Sequence, residues 1–260
     1  MSRFAEYRNR FDSIDFQRDE SGVLELTFHS NGGSLNWSPH VHGEWVEAFG
    51  EIADDPQNRV VIMTGTGDVF CGPRSSPAAA PRRDTREWEV TRFHGTRLLK
   101  NLLSIEAPVI AAINGPALRH IETPLLSDIV LATEDTVFQD SGHFRSHIVP
   151  GDGMHVVLPF LMGATRASYF LLTGEEISAS RALEIGLVNE IVPRGELLDR
   201  ARVIAALVAA KPDLVVRYTR VLLKQSLRRE IHDLVGYGLA LEGLGMVDRW
   251  LSDKGILPSL

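Results

Sequence analysis

The sequence predicts an α/β fold with a helical C-terminal region. Short apolar runs rich in β-branched residues alternate with amphipathic stretches in the first part of the chain, and this alternation is typical of strand–helix units. From residue 178 onward the pattern is mostly helical. The 260 residues suffice for one large α/β domain with an appended segment. We therefore expect an α/β core over 1–195 and a helical region over 196–260 that covers the core or meets another subunit.

The first half of the chain begins this alternation. VLELTF (23–28) alternates apolar and polar residues and predicts a strand, and Ser-Pro before the apolar spacing of 38–55 predicts a helix. Buried strands are predicted over 59–67 and 108–114, with an amphipathic helix over 85–106 between them. The intervening loop, up to residue 84, is rich in proline and small residues.

The second half is expected to be richer in helices. The predicted elements are two short strands within 127–140, helices over 154–163 and 164–174, a short helix over 178–186, a short strand over 187–192, and helices over 195–211, 211–227 and 229–250.

Composition and charge argue against nucleic-acid binding, membrane insertion and disulfide bonding. A net charge of −7 argues mildly against a nucleic-acid or anionic membrane surface. The single cysteine, Cys71, excludes an intrachain disulfide, fits a reducing compartment, and is expected to be buried and structural. The N-terminal residues contain no apolar signal region, and no apolar run approaches the roughly 20 residues that span a bilayer. We expect a cytoplasmic protein with no nucleic-acid or membrane partner.

Histidine spacing gives little support for a metal site. His40 and His42 are two residues apart, and His143 and His147 are four apart, which suits two ligands on one helix face. However, Gly142 precedes the second pair, Pro150 follows it, and no His-Glu-x-x-His motif exists. We expect no bound metal.

General acid–base chemistry has a better candidate in residues 138–155, which hold three histidines and two aspartates around a Pro-Gly turn. An aspartate at a helix start can orient a nearby imidazole and raise its basicity, and this pairs Asp152 with His143. The structural alternative is that the segment is a loop in which Asp152 caps a helix over 153–162. The residues alone leave both interpretations open.

The turn after the strand at 108–113 is unusual. Asn114-Gly115 ends the strand, and such a turn is commonly glycine-rich where the backbone approaches a ligand closely. Here the chain instead carries Arg119, His120 and Glu122.

The order of motifs resembles the crotonase (enoyl-CoA hydratase/isomerase) superfamily over roughly residues 20–250. The matching segments are VVIMTGTGDVFC (60–71), PVIAAINGPA (108–117), SDIVLATEDTVFQD (127–140), IVPGDG (148–153) and YFLLTGEEISASRALEIGLVNEIVP (169–193). This resemblance implies a crotonase-like spiral of ββα units with a helical C-terminal region, assembled as a homotrimer or as a hexamer made of two trimers.

Members of this superfamily commonly bind acyl-CoA and stabilise an enolate oxyanion with two backbone N–H groups. The loop that supplies the first donor reads Phe-Cys-Gly-Pro-Arg-Ser here, which puts the donor position at Arg74. The glycine turn that supplies the second donor is replaced by Arg119-His120-Ile121. Because a histidine side chain can also donate to an oxyanion, the chemistry can still pass through an enolate with a different stabiliser.

A closer resemblance is to the β-diketone hydrolase branch of the superfamily, of the 6-oxocamphor hydrolase type. It lies in NGP-x-x-x-H (114–120), the stretch 124–128, FQD-x-x-HF (138–144), IVPGDG-x-HVV (148–157) and YFLLTG (169–174). The resemblance implies that His143 and Asp152 activate water and that His120 stabilises the enolate. It also implies that Trp37 and Glu242 line the substrate pocket, as would Arg74, although Trp37 equally suits a core position and Glu242 a solvated helix position.

The reaction implied by this branch is a retro-Claisen hydrolysis without a cofactor. The substrate would be a cyclic or bicyclic, non-enolisable 1,3-diketone, and the product a chiral keto acid. Two alternatives stay open, namely an acyl-CoA hydratase, isomerase or hydrolase, and a non-catalytic superfamily member. The loop 71–84 departs from the superfamily pattern and is expected to influence the choice of substrate.

Overall fold

The computed structural model describes residues 3–72 and 85–253. The strands are β1 Ile14–Arg18, β2 Val23–Phe28, β3 Val60–Gly65, β4 Val109–Ile113, β5 Ile129–Ala132, β6 Val137–Phe138, β7 Ile177–Ser178 and β8 Glu190–Ile191. The α-helices are α1 Phe4–Tyr7, α2 Pro39–Ala53, α3 Thr85–Ser104, α4 Glu122–Leu125, α5 Met154–Met162, α6 Ala164–Thr173, α7 Ala179–Glu184, α8 Leu197–Ala209 and α9 Asp213–Asp253.

A six-stranded sheet forms the centre of the fold, in the order β1-β2-β3-β4-β5-β8. Its strands are parallel except for β1, which pairs antiparallel with β2 at the edge. A second sheet pairs β6 with β7. The predicted mixed α/β class with a helical C-terminal region is confirmed, whereas the division of the chain near residue 195 stays a prediction.

The sheet is buried on both faces, as expected for parallel strands. Val61 and Met63 of β3 face the main core, while Val60 and Ile62 face a smaller core formed with α8. Such strands read as continuous apolar runs, and this pattern made β3 and β4 recognisable from the sequence. Among the described residues, no helix combines the length and the apolar character needed to cross a bilayer.

The C-terminal helix differs from the prediction. Separate helices were expected over 211–227 and 229–250, but the chain forms the continuous helix α9. Leu227, Ile231, Val235 and Leu239 recur every four residues and are all fully buried, so one apolar face continues through the predicted break. The two arginines at 228 and 229 lie beside this face and do not interrupt it.

Extended segments beyond the strand ends bring distant residues together. Isolated bridges join Asn36 to Gly72, Cys71 to Ala117, and Ala117 to Phe138. Four stretches of chain therefore lie side by side at one end of the molecule, and they lead into the segments that carry Trp37, His120 and His143.

The Asn114-Gly115 pair fixes one of these stretches. The Asn114 side chain accepts a hydrogen bond from the Gly65 N–H at 3.0 Å and donates to the Gly67 carbonyl at 2.9 Å. A Cβ on Gly115 would lie 2.0 Å from the Asp68 carbonyl oxygen, so only glycine fits. The pair is therefore part of the scaffold that holds the turn carrying His120.

The turn at 150–153 is pressed against α9 by glycines on both sides. A Cβ on Gly238 would lie 2.1 Å from Cε1 of His155 and 2.4 Å from the Gly151 carbonyl oxygen. A Cβ on Gly151 would lie 2.2 Å from the Gly238 carbonyl oxygen. This close approach sets the distance between Asp152 on the turn and Glu242 on the helix.

Gly238→Ala is expected to lower the free energy of unfolding by about 1–3 kcal/mol, because the added methyl group overlaps backbone and must push α9 off the turn. Urea unfolding measures the change. Gly236→Ala is the matched control: it lies in the same helix with open space around it, and alanine there should stabilise the protein by up to about 1 kcal/mol. Equal effects of the two substitutions would contradict the packing argument.

Candidate active site

His143 lies between two carboxylates. It follows β6 on a tight segment in which the Ser141 N–H donates to the Leu118 carbonyl. Its Nδ1 is 2.7 Å from Oδ1 of Asp140, and its Nε2 is 3.1 Å from Oδ2 of Asp152. The predicted pairing of His143 with Asp152 therefore occurs, but Asp140 is a second partner that the sequence reasoning did not select. In the sequence Asp140 is three residues before His143, and outside a helix this spacing does not indicate that the two side chains meet.

Asp152 does not cap a helix. The residue at the start of α5 is Gly153, with φ of 126°, and no side chain accepts a capping hydrogen bond there. The structural alternative for Asp152 is thus wrong, and its carboxylate turns inward instead. Oδ2 lies near both His143 and His120, while Oδ1 is buried without a hydrogen-bond partner among the described residues.

The charged groups of this cluster shift one another's pKa values. Burial lowers the pKa of His143, but the two flanking carboxylates outweigh it and hold the pKa well above its ordinary value of 6.5. Burial raises the pKa of Asp152, but the charge and hydrogen bond of His143, with smaller contributions from His120 and His42, bring it below its usual range. The two carboxylates therefore favour the imidazolium form of His143.

His120 occupies the turn that replaces the glycines. Its backbone φ is 46°, a left-handed conformation uncommon for residues other than glycine. Its Nδ1 lies 2.8 Å from Oε1 of Glu122 and 3.5 Å from Oδ2 of Asp152. Thus one oxygen of Asp152 lies next to ring nitrogens of both histidines, and the three residues predicted to be catalytic meet at a single carboxylate.

Aromatic contacts fix the plane of the His120 ring. The Trp37 ring centroid is 3.9 Å from that of His120, with the planes inclined by 33°. The ring centroid of His42 lies 5.4 Å from that of His120 and 5.5 Å from that of Trp37. Trp37 also packs edge-on against the buried Trp45, so it forms part of the core and one wall of the site at once.

Glu242 reaches the site from α9. It is buried, contrary to the alternative of a solvated helix position. Burial raises its pKa to about 8; the charge on His143 opposes this shift, and those on Asp152 and Asp140 add to it. Glu242 is therefore largely protonated at neutral pH, and its Oε2 has no partner among the described residues.

Of the two arginines that the sequence analysis named, only Arg119 lies among the described residues. Arg119 packs against the 140–143 segment, since a Cβ on Gly142 would lie 2.5 Å from its Nη1, and burial lowers its pKa. Arg74, the predicted substrate-binding residue, and most of the loop 71–84 lie outside the described residues.

Two groups of side chains within the described ranges have metal-ligand spacing. His120, Glu122 and Asp152 offer ligand atoms within 4.8 Å of one another, as do Asp12, His40 and Glu44. In the second group Glu44 already accepts hydrogen bonds from the backbone of residues 12 and 13. In the first, the 2.8 Å between His120 and Glu122 is an ordinary hydrogen-bond distance.

Comparison with known proteins agrees with this architecture. The model of the enoyl-CoA hydratase/isomerase family matches residues 18–237. The chain belongs to that family.

The proteins similar to this chain are named for more than one activity. A probable enoyl-CoA hydratase, EchA12 of Mycobacterium tuberculosis, is 32% identical over 212 residues, which cover 79% of this chain and 74% of the relative. A β-diketone hydrolase from the cyanobacterium Anabaena sp. PCC 7120, solved with bound (S)-3-oxocyclohexyl acetic acid, is 45% identical with a TM-score of 0.90. That comparison covers 94% of this chain and 97% of the hydrolase. An enoyl-CoA hydratase/isomerase from Mycobacterium paratuberculosis is 26% identical with a TM-score of 0.80, covering 90% and 94% of the two chains.

Asp140→Asn should shift the pH dependence of any reaction that this protein catalyses through neutral His143. Loss of the neighbouring negative charge lowers the pKa of His143, so the base form appears at lower pH. The acidic limb of the rate profile should move down by about 1–3 pH units. Asp199→Asn, at an exposed position on α8, is the control and should leave the limb in place. If the acidic limb stayed in place in Asp140→Asn, His143 would not be the group whose deprotonation controls the rate.

Proposed function

We propose that the protein hydrolyses a carbon–carbon bond of a cyclic or bicyclic, non-enolisable 1,3-diketone to give a chiral keto acid. The observation that carries the proposal is the meeting of His143 and His120 at one oxygen of Asp152. Such a reaction needs a base for water and a donor for an enolate at neighbouring positions, and two imidazoles in different environments suit these two tasks. The 45% identical β-diketone hydrolase supports the same substrate class.

The first step assigns the base. In neutral His143 the Nδ1–H donates to Asp140, and Nε2 takes a proton from water, so that the hydroxide adds to one carbonyl carbon. Asp152, 3.1 Å from Nε2, stabilises the imidazolium that forms. Because the pKa of His143 is raised, its neutral form is a minority near neutral pH, and the rate should increase as the pH rises.

The second step breaks the carbon–carbon bond. Its electron pair moves onto the second carbonyl as an enolate, whose oxygen accepts a hydrogen bond from His120. The proton taken from water then returns to the enolate carbon, so one water molecule is added overall. Trp37 beside His120 and protonated Glu242 beside Asp152 would line the pocket and distinguish the two carbonyl groups.

Incubation with a panel of monocyclic and bicyclic 1,3-diketones tests the proposed activity directly. We expect at least one to yield a keto acid with an enantiomeric excess, because the site presents different groups to the two carbonyls. Chiral chromatography of the products measures this. Tight binding of acyl-CoA thioesters together with no turnover of any diketone would overturn the proposal.

Substitutions at the three central residues test their roles. His143→Ala and Asp152→Asn should each lower kcat by about 10²–10⁴, the usual contribution of acid–base catalysis. His120→Ala should lower it by about 10²–10³, as for loss of an oxyanion donor. His232→Ala, at an exposed position on α9, is the control and should retain full activity. Unchanged turnover in both His143→Ala and Asp152→Asn would rule out the pair.

A second candidate is chemistry on an acyl-CoA thioester, which is favoured by the names of the curated relatives. Against it stands the turn at 119–121, where Arg119, His120 and Ile121 replace the expected glycines and the Trp37 ring packs against that of His120. Binding of acetyl-CoA measured by calorimetry, beside the diketone panel, separates the two candidates.

Assembly and location are part of the proposal. We propose a homotrimer or a hexamer, supported by the large apolar side chains that α9 exposes in the single chain, among them Leu222, Leu223 and Tyr237. A cytoplasmic location is supported by Cys71, which is free and buried.

A further inference from the structure

His120 can stabilise an enolate only if its substrate-facing nitrogen carries a hydrogen. The hydrogen bond and ion pairs found for His120 among the described residues involve Nδ1. Nε2 is therefore the nitrogen left for the substrate oxygen. A neutral imidazole has one N–H, so the state of Nδ1 decides whether Nε2 donates or accepts.

Glu122 is the group that sets the state of Nδ1. Its Oε1 is 2.8 Å from Nδ1, whereas Oδ2 of Asp152 is 3.5 Å away and already engaged by His143. The Glu122 side chain is completely buried, and its Oε2 has no hydrogen-bond partner among the described residues. An ionised carboxylate in such a place would leave charge on an unsolvated oxygen, which is costly.

The surroundings of Glu122 favour its neutral form. Burial raises its pKa; His120 opposes this shift and the nearby Asp152 carboxylate adds to it. The thiol of Cys71 also faces it and is itself kept neutral by burial. The carboxylates of Asp140 and Asp152 match the two nearby cations, His143 and Arg119, so no further carboxylate is needed there.

We propose that Glu122 is protonated in the resting enzyme and donates to Nδ1 of His120, so that a neutral imidazole presents Nε2–H to the enolate oxygen. Glu122 is then a positioning residue that acts through His120. The inference deepens the proposed function, since it rests on His120 as the enolate partner. It also explains why the turn that replaces the glycines carries a histidine and a glutamate two residues apart.

The first test reads the tautomer without any substrate. In protein labelled with ¹⁵N-histidine, the His120 signals are assigned by their loss in His120→Ala. At pH 7 we expect Nε2 to be protonated and Nδ1 to be unprotonated. Protonation at Nδ1 alone, or at both nitrogens, would show that Glu122 is ionised and would overturn the inference. Because no turnover is involved, the result does not depend on the diketone activity.

Variants separate a hydrogen-bond role from a packing role. In Glu122→Gln the amide still donates to Nδ1, so the Nε2–H tautomer and most of kcat should remain. In Glu122→Leu the donor is lost, and kcat should fall by about 10–100-fold with a smaller change in KM, toward the loss expected for the whole oxyanion donor. Equal loss in the two variants would contradict the inference. If the leucine variant fails to fold, the ¹⁵N measurement of the His120 tautomer in the wild-type protein is sufficient to test the inference.

A pH titration completes the test. At the pH where Glu122 ionises, His120 should switch to the Nδ1–H form in the wild type but not in Glu122→Gln. Among the described residues, the groups that interact electrostatically with Glu122 are His120, Asp152 and Cys71, and Arg119 lies beside Cys71. Glu242 is a second buried acid close to Asp152, and its pKa is about 8. Glu242→Gln should therefore keep the switch. If the switch disappeared in Glu242→Gln and persisted in Glu122→Gln, the proton that controls the His120 tautomer would belong to Glu242, and the inference would be wrong.

Discussion

The carboxylate of Asp152 is the group on which the candidate site depends. One of its oxygens lies against ring nitrogens of His143 and His120, which come from separate stretches of the chain. Its position is set by backbone packing, because the glycines at 151 and 238 allow the turn to touch α9 directly. The tight contact between turn and helix thereby places Asp152 against the two imidazoles and brings Glu242 beside it.

Burial gives the two histidines different chemistry. His143 lies between the carboxylates of Asp140 and Asp152 and is held as an imidazolium. His120 has Glu122 as its nearest acid, which is fully buried and has a raised pKa. The two imidazoles therefore have different electrostatic surroundings: His143 lies between two carboxylates, whereas His120 contacts an acid whose charged form is disfavoured by burial. This difference suits the separate tasks of base and hydrogen-bond donor.

Much of the fold follows from local patterns. The apolar runs of β3 and β4, the Ser-Pro start of α2 and the glycine after α6 are short-range signals that the structure matches closely. The edge strand β1 was missed although it pairs with the neighbouring β2 and its buried Ile14 and Phe16 alternate with exposed residues. The continuity of α9 was missed because its buried face packs against distant segments, such as Leu239 against Gly95 of α3. In the site, the pairing of His143 with Asp152 was predicted, whereas Asp140 was not selected, since a spacing of three residues outside a helix gives no geometric signal.

The sequence by itself determined the family, the alternation of strands and helices, and the replacement of the glycine turn by Arg119, His120 and Glu122. These properties are encoded in residues close together along the chain, where periodicity and motif order can be read directly. Only the tertiary structure decided which acid each histidine contacts and which acids are buried, so that their pKa values rise. Those properties depend on distances between separate segments and on exclusion of water, and both arise only when the glycine contacts and the buried face of α9 close the site.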